Sequence, residues 1–448
     1  MSNKKENVFI LFLSIANVLI LSVGHILNNN SIILFCLITF FMLLILSPNS
    51  LFLAIVLFYL PWSPIMKLNS DGFTFYTIGL ALFFMFLFFT KELLDKKGLF
   101  LLKNLFLICI LFVYTVIVKL FLDYNLSFDY FMFLLMLILI PSYLNMYREK
   151  ISFETSILFF SIGIVTAGFS SKLLMEYPHM LNFIKVSQWE TIGLTRLSGF
   201  YGDANFYSAH ILVAIGGLLI LLLRKNLQEV ILLFPLVMTL IYLGFLSVSK
   251  MFLIILVLVI ALWTIAVITY KGKLLIKTTM IISLIIGGYI ISSLGIFTNQ
   301  MNMYLVRFNM VKDISSLTTG RSNILEDYAL FFSQNPFSLL FGQGFTNVYK
   351  ESISNAAHNT LIQIIYQFGL VGSIFLIIWF IQLFITINQT ERPPLKQSNY
   401  LNINIILLSI VCFVPWLSLD ILFADEFFLI LSLFLIGKEY LSARVLEA

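Results

Sequence analysis

Long apolar runs separated by short polar breaks fill most of this chain. Fourteen runs can be drawn, at residues 7–27, 31–46, 50–66, 72–90, 104–121, 128–144, 155–171, 205–223, 228–247, 250–270, 274–294, 359–387, 400–418 and 421–437. An apolar helix of about 20 residues crosses the hydrocarbon core of a bilayer. The third and last runs are short or interrupted by proline, so twelve spans result if runs pair as re-entrant segments. The pattern predicts an all-α, polytopic integral membrane protein with about 12–14 transmembrane helices in one domain, residues 1–448.

The composition agrees with this pattern and excludes a water-soluble enzyme. Hydrophobic residues make up 60% and charged residues 11% of the chain, which has 47 phenylalanines and a mean hydropathy of +1.01. No single water-soluble core absorbs so much apolar surface. Cys36, Cys109 and Cys412 each lie inside an apolar run. We interpret them as small hydrophobic residues and not as a disulfide or metal set.

The positions of the lysines and arginines predict the orientation. Cytoplasmic loops of membrane proteins are enriched in basic residues. If the N-terminus is cytoplasmic and the runs alternate, most of the 27 basic residues lie in cytoplasmic loops or termini, including the loops near Lys96 and Pro393. Both termini are then cytoplasmic. Two long loops, at residues 172–204 and 295–358, face outward, and the second is expected to be partly helical.

Three arginines lie in these two outward-facing loops: Arg196 in the first, and Arg307 and Arg321 in the second. Arginine presents a fixed fork of donors that matches phosphate oxygens, and it keeps its charge at any biological pH. We interpret the three as an anion-binding set. The alternative is that each forms a salt bridge with a nearby acid. The acids available are Asp203, Asp313, Glu326 and Asp327.

The class of anion follows from what the loops lack and where they lie. The sequence has no Gly-rich phosphate loop and no Asp-x-Asp pair for a metal-bound nucleotide sugar. A lipid-linked pyrophosphate fits an outward-facing membrane site, because it carries its own activation. When the glycan is transferred, the pyrophosphate leaves as an anion that arginines stabilise without a metal. We therefore predict no metal and no cofactor, and nucleic acid is not expected as a partner.

His358 is the candidate general base for a hydroxyl acceptor. It lies where the second loop ends and a helix begins, and Asn355 or Asn359 is available to cap that helix. The alternative is a membrane-interface histidine that hydrogen-bonds to a loop carbonyl. His179, in the first loop, is the second candidate for the base.

Several motifs resemble the O-antigen ligase / Wzy-type O-antigen polymerase superfamily. The string Arg196-Leu-Ser-Gly-Phe-Tyr-Gly-Asp-Ala-Asn205 resembles the Arg-x-x-Gly…(Asp/Pro)-x-Asn signature that precedes a helix in that family. Ser247-Val248-Ser249-Lys250 lies where the family has Ser-Arg at the start of an outward-facing helix. The resemblance covers about Arg196 to Trp379. The remaining matches to the family's large external loop are Gly320-Arg321, Gly342-x-Gly344, His358-Asn359-Thr360-Leu361 and Gly369-x-x-Gly372.

The resemblance implies a metal-independent membrane glycosyltransferase on the outer face of a bacterial cytoplasmic membrane. Such an enzyme takes a glycan from an undecaprenyl-pyrophosphate carrier and attaches it to an acceptor sugar hydroxyl with inversion. By the same resemblance, Arg196 and Arg321 would hold the donor pyrophosphate, and His358 would activate the acceptor. Lys250 keeps the charge of the family's arginine but not its bidentate fork. The residues implied in substrate binding are Arg307, Lys250, Asn205 and Asn359.

Three functions are open at this point. A polymerase joins carrier-linked repeat units into O-antigen, capsular or exopolysaccharide, and we favour it because the non-ligase members are the more varied group. An O-antigen ligase transfers the finished glycan to lipid A–core or protein. A flippase or exporter moves lipid-linked sugars, but a transporter more often buries charge at mid-membrane, and these runs are almost free of charge. The expected partners are the lipid-linked donor and acceptor, membrane lipids, a chain-length regulator and a flippase.

Overall fold

A computed structural model describes residues 2–68, 74–89, 98–122, 128–147, 149–182, 184, 187–189, 194–269, 274–293, 298–309, 311, 320–344, 353, 356–388 and 399–443. These residues contain seventeen α-helices and one β hairpin. The helices are α1 (Ser2–Ile26), α2 (Asn30–Leu46), α3 (Phe52–Tyr59), α4 (Phe75–Phe89), α5 (Gly98–Leu122), α6 (Phe128–Tyr147), α7 (Phe153–Leu174), α8 (Ala204–Leu222), α9 (Leu227–Leu246), α10 (Lys250–Thr269), α11 (Leu274–Ser293), α12 (Thr298–Asn309), α13 (Arg321–Gln334), α14 (Pro336–Phe341), α15 (Thr360–Asn388), α16 (Asn399–Phe413) and α17 (Asp425–Ala443).

The chain is a polytopic membrane protein. Among the described residues, seven helices are long and apolar enough to cross a bilayer, namely α1, α6, α7, α8, α9, α10 and α15. The bent pair formed by α2 and the segment Asn49–Ile65 adds an eighth if it is one span. Each of the fourteen predicted runs contains a helix. The total of 12–14 spans remains a prediction.

The proline-interrupted third run forms the second half of that bent pair. Its axis lies at 119° to α2, and the break falls at Pro48, which cannot donate a backbone hydrogen bond to continue the helix. Every residue of α3 is buried. Gly163 of α7 permits this burial, because a Cβ there would lie 2.2 Å from the Phe58 carbonyl oxygen. The third run is therefore packed inside the bundle.

Helix α8 is the central helix of the bundle. Of its spanning window, 83% is buried, against 33% for α9 and 39% for α10. Two adjacent glycines let its neighbours approach closely. A Cβ at Gly217 would lie 2.1 Å from Ile157 of α7, and one at Gly216 would lie 2.8 Å from Val411 of α16. The residues that precede α8, from Arg196 onward, therefore lead directly into a closely packed core.

The two stretches predicted as external loops contain regular structure. In the first, β1 (Ser187–Trp189) pairs antiparallel with β2 (Leu194–Arg196), and Ser187 lies opposite Arg196. These two three-residue strands are a small exception in a chain whose described residues are predominantly helical, as predicted. The second stretch contains α12, α13 and α14. Whether these stretches face outward remains a prediction. Several residues used in the sequence arguments lie outside the described residues: Lys96, Asp313, Asn355 and Pro393.

Glycines join α13 and α14 to a break in α15. Gly369 has a φ of +66° and interrupts α15, and Gly342 has a φ of +78° just after α14. A Cβ at Gly342 would lie 2.4 Å from the carbonyl oxygen of Gln367, and a Cβ at Gly369 would lie 2.4 Å from the Gly342 nitrogen. The two backbones therefore touch at a distance that only glycine allows. The glycine motifs thus have a structural role here.

This contact fixes the position of α13 relative to the first half of α15. The Gln343 N–H donates to the Tyr366 carbonyl at 2.7 Å. Tyr328 and Phe331 of α13 form a hydrophobic cluster with Tyr366 of α15. Tyr114 of α5 donates its hydroxyl to the Phe341 and Phe368 carbonyls, at 2.8 Å each. The helix that begins at Arg321 and the helix that follows His358 therefore form one packed unit.

Candidate functional site

Two arginines bind successive carbonyls at the corner between α9 and α10. The Arg196 Nε–H donates to the Ser247 carbonyl at 3.0 Å, and Arg307 Nη1 donates to the Val248 carbonyl. Val248 has a φ of +46°, in the left-handed region that a β-branched residue rarely adopts. This unusual conformation turns the chain so that adjacent carbonyls meet guanidinium groups from two distant segments. The corner brings together the predicted residues Arg196 and Arg307.

Lys250 and Asn205 lie at the same corner. Lys250 is the first residue of α10, and its Nζ lies 5.8 Å from the centre of the Phe308 ring, on α12 beside Arg307. Asn205, in the first turn of α8, accepts a hydrogen bond on its Oδ1 from the Ser249 hydroxyl at 2.8 Å. The side chain of Asp203 caps α8 by accepting from the Asn205 N–H. Four predicted residues from four segments thus lie around one corner.

The electrostatics of this cluster are those of a crowded cationic site. The pKa of Arg307 is lowered to about 10, mainly by burial and in part by the nearby charges of Arg196 and Arg321. Burial also lowers the pKa of Arg196, with Asp203 acting in the opposite direction and Arg321 in the same one. Each arginine is therefore destabilised as a cation by its surroundings. An anion placed among them would relieve that destabilisation.

The alternative, that each arginine forms a salt bridge, is not observed for Arg196 or Arg321 within the described residues. Neither guanidinium lies within 4.0 Å of a carboxylate there. The Arg196 Nη2 is buried and has no hydrogen-bond partner in the described part of the chain. A buried charged donor without an acceptor is costly, so this group is poised for an acceptor from a ligand.

Arg321 links the arginine cluster to the histidine. It begins α13 directly after Gly320, whose φ is +82°. Burial lowers the pKa of Arg321, whereas Asp203 and then Asp420 raise it. Asp203 also acts on Arg196, and Asp420 contacts His358. Arg321 therefore lies in electrostatic range of both halves of the candidate site.

His358 is held by Asp420, from the corner between α16 and α17. The two carboxylate oxygens of Asp420 accept from the backbone N–H groups of His358 and Asn359, at 2.9 and 3.0 Å. The His358 Nδ1 lies 3.9 Å from Asp420 Oδ2, and the imidazole is 42% exposed. His358 itself has a φ of +45°. The carboxylate thus holds a strained backbone and flanks one ring nitrogen, while the ring stays accessible.

The side-chain amide of Asn359 is engaged at both ends. Its Oδ1 accepts from the N–H groups of Leu361 and Ile362, at 2.9 and 3.2 Å, and so caps α15. Its Nδ2 donates to the Leu417 carbonyl at 3.2 Å. This arrangement favours the capping interpretation of Asn359 over the predicted contact with substrate.

His179, the second candidate for the base, is held elsewhere. It lies in a short 3₁₀ segment, Pro178–Asn182, and its Nε2 is 2.9 Å from the carbonyl oxygen of His25 at the end of α1. Its polar partner is thus on α1, whereas the arginines bind the corner between α9 and α10. This placement favours a structural role for His179.

Sequence reasoning missed Asp420. The only sequence signal was an acidic residue in the short break between the last two apolar runs, which is also the place for an ordinary helix cap. Among the described residues, no group of three or more His, Cys, Asp or Glu side chains could hold a metal ion. The chain matches no protein-family model, no curated protein and no solved structure.

Proposed function

We propose that this membrane protein is a metal-independent glycosyltransferase that polymerises undecaprenyl-pyrophosphate-linked oligosaccharide repeat units. One observation carries the proposal. Arg196, Arg307 and Arg321 form a cationic cluster in which Arg307 is buried and the other two are half-buried, and Arg321 shares the neighbouring Asp420 with His358. An anion site beside an accessible base is the combination needed to transfer a group from a pyrophosphate to a hydroxyl.

The arginines would bind the donor pyrophosphate. The Ser247 and Val248 carbonyls orient Arg196 and Arg307 in advance, so little side-chain freedom is lost on binding. The unpartnered Nη2 of Arg196 would donate to a phosphate oxygen. As the glycosyl–oxygen bond breaks, negative charge grows on the leaving pyrophosphate, and fixed cations stabilise that charge most in the transition state.

His358 would act on the acceptor. Its Nε2 would take the proton of the acceptor hydroxyl as that oxygen bonds to the anomeric carbon, from the side opposite the pyrophosphate. The Asp420 carboxylate beside Nδ1 would stabilise the imidazolium that forms. The products are a longer lipid-linked glycan and a free carrier pyrophosphate, and the transfer inverts the anomeric configuration.

The test is to incubate the purified protein, in lipid, with a lipid-linked repeat unit and to resolve the glycan products by length. We expect a ladder of lengths. Transfer only to a second acceptor, such as lipid A–core, would indicate the ligase alternative. The absence of any new glycosidic bond, with movement of the lipid-linked sugar across the bilayer, would indicate the exporter alternative.

Arginine variants make this test specific to the site. Arg196→Ala should reduce product formation about 10²–10³-fold, the typical cost of losing a donor to developing negative charge. Lysine should restore activity only in part, because it lacks the bidentate fork. Arg224→Ala is the matched control. Arg224 also donates to two backbone carbonyls, those of Tyr440 and Leu441, but at the opposite end of α8. Normal activity of Arg196→Ala would contradict the proposal.

A further inference from the structure

A second pair of ionisable side chains lies in the helical core, apart from the arginines and His358. Glu426, in the first turn of α17, is 7% exposed, and His210, in the second turn of α8, is 3% exposed. Neither has a part in the glycosyl transfer described above. Buried ionisable side chains are rare inside membrane bundles, and they usually mark a functional position.

Both side chains line the same small cavity. Its volume is about 20 Å³, and the rest of its lining is apolar, including Phe206, Val213 and Trp416. A cavity of roughly 10–15 Å³ or more holds one water molecule if polar groups are present to bind it. Glu426 and His210 are the ionisable side chains of its lining, so the cavity has room and polar partners for a single water molecule.

The histidine presents an unused hydrogen-bonding atom. His210 Nδ1 is buried and has no hydrogen-bond partner among the described residues. Its ring packs at 5.0 Å from the ring of Tyr201 and edge-on at 5.8 Å from that of Phe160, so the imidazole is fixed in orientation. A buried polar atom without a partner is normally satisfied by bound water.

The carboxylate has no cation to balance it. Within the described residues, no lysine, arginine or histidine nitrogen lies within 4.0 Å of Glu426. The titratable groups around it are His210 of α8, Tyr76 of α4, Tyr201 before α8, and Asp425 next to it. Of these groups, the two phenols and Asp425 supply no positive charge. A buried carboxylate in such surroundings is strongly disfavoured in its charged form.

We propose that Glu426 and His210 bind one water molecule and one proton in this cavity, as a buried proton-binding site. The carboxylic acid donates to the water, and the water donates to His210 Nδ1. The cavity is also lined by Leu419 and Ile421, the two neighbours of Asp420. Loss of the proton would leave a bare carboxylate against the corner that holds the His358 backbone, and would therefore destabilise that corner.

This inference does not depend on the glycosyltransferase proposal, and infrared spectroscopy tests it directly. The full-length protein in lipid nanodiscs is measured in H₂O and D₂O at neutral pH, as wild type, Glu426→Gln and His210→Phe. We expect a carbonyl band of a protonated carboxyl group that shifts in D₂O and is lost in Glu426→Gln. In His210→Phe the band should remain but change frequency, because the water has lost its acceptor.

Glu154→Gln is the matched control. Glu154 is ion-paired with Lys225 outside this cavity, so its replacement should leave the band unchanged. A wild-type spectrum without the band, a band that persists in Glu426→Gln, or an unshifted band in His210→Phe would overturn the proposal. If Glu426→Gln does not fold, the wild-type band and its shift in His210→Phe decide the question.

Discussion

The two corners that build the candidate site use opposite chemistry. At the corner between α9 and α10, backbone carbonyls hold two arginines, Arg196 and Arg307. At the corner between α16 and α17, a carboxylate holds two backbone N–H groups, those of His358 and Asn359. A carbonyl orients a guanidinium without neutralising it, so the Ser247 carbonyl leaves the positive charge of Arg196 available for an anion. The second corner supplies a negative charge beside a base. Under the proposed function, the arginine corner would bind the anion and the histidine corner would transfer the proton.

The largest effect should come from removing the base. His358→Ala is expected to lower kcat about 10²–10⁴-fold, the usual range for loss of general acid–base catalysis. The KM for the donor should change little, because the proposed role of the imidazole is at the acceptor. Steady-state kinetics with varied donor concentration measures both. A higher KM with normal kcat would instead place His358 among the donor-binding residues and erase the difference between the corners.

A smaller effect is expected from the residue that orients the base. In Asp420→Asn, one side-chain oxygen can still accept a backbone N–H, but the negative charge beside Nδ1 is lost. We expect kcat to fall by up to about a hundredfold, since misplacing a catalytic group by about 1 Å costs this much. Activity equal to wild type at normal protein levels would show that the carboxylate serves only as a helix cap.

Much of this molecule follows from its sequence, and the rest does not for physical reasons. The apolar runs predicted a membrane protein and helices at the observed places, because spanning length and burial are local properties. Asp420 was not predicted, because a lone acid at a helix end gives the same sequence pattern whether it caps the helix or positions a base. The left-handed Val248 was equally unforeseeable, since no local preference of valine leads there and only the surrounding contacts impose it. Asn359 was predicted to contact substrate, yet its amide is engaged within the protein.

A pair of glycines tests how the helix that begins at Arg321 is held to the helix that follows His358. Gly342 and Gly320 both have positive φ, but a Cβ at Gly342 meets backbone atoms, whereas one at Gly320 has nothing within 4 Å. Gly320→Ala should lower the free energy of unfolding by about 1–2 kcal/mol, the conformational cost of placing alanine in the left-handed region. Gly342→Ala should lower the free energy of unfolding by clearly more, because its Cβ would push α14 away from the α15 backbone. Thermal unfolding in nanodiscs measures both variants, and equal losses would contradict the close contact with Gly369.

The smallest effect concerns pH. The pKa of Arg307 is lowered by burial to about 10, so the guanidinium is charged below that pH and loses its charge above it. Donor binding should therefore be constant at neutral pH and weaken as pH rises through about 10. The KM for the donor measured between pH 8 and pH 10.5 tests this. In Arg307→Ala the dependence should disappear; if it persists there, another group causes it.

The division between the two corners is tested most directly by binding of the carrier alone, without any glycan to transfer. Undecaprenyl pyrophosphate is titrated into the purified protein in nanodiscs, as wild type, Arg196→Ala and His358→Ala. We expect His358→Ala to bind as tightly as wild type and Arg196→Ala to bind about 10–10²-fold more weakly, the cost of one lost hydrogen bond to a charged group. Undiminished binding in Arg196→Ala, or loss of binding in His358→Ala, would contradict that division.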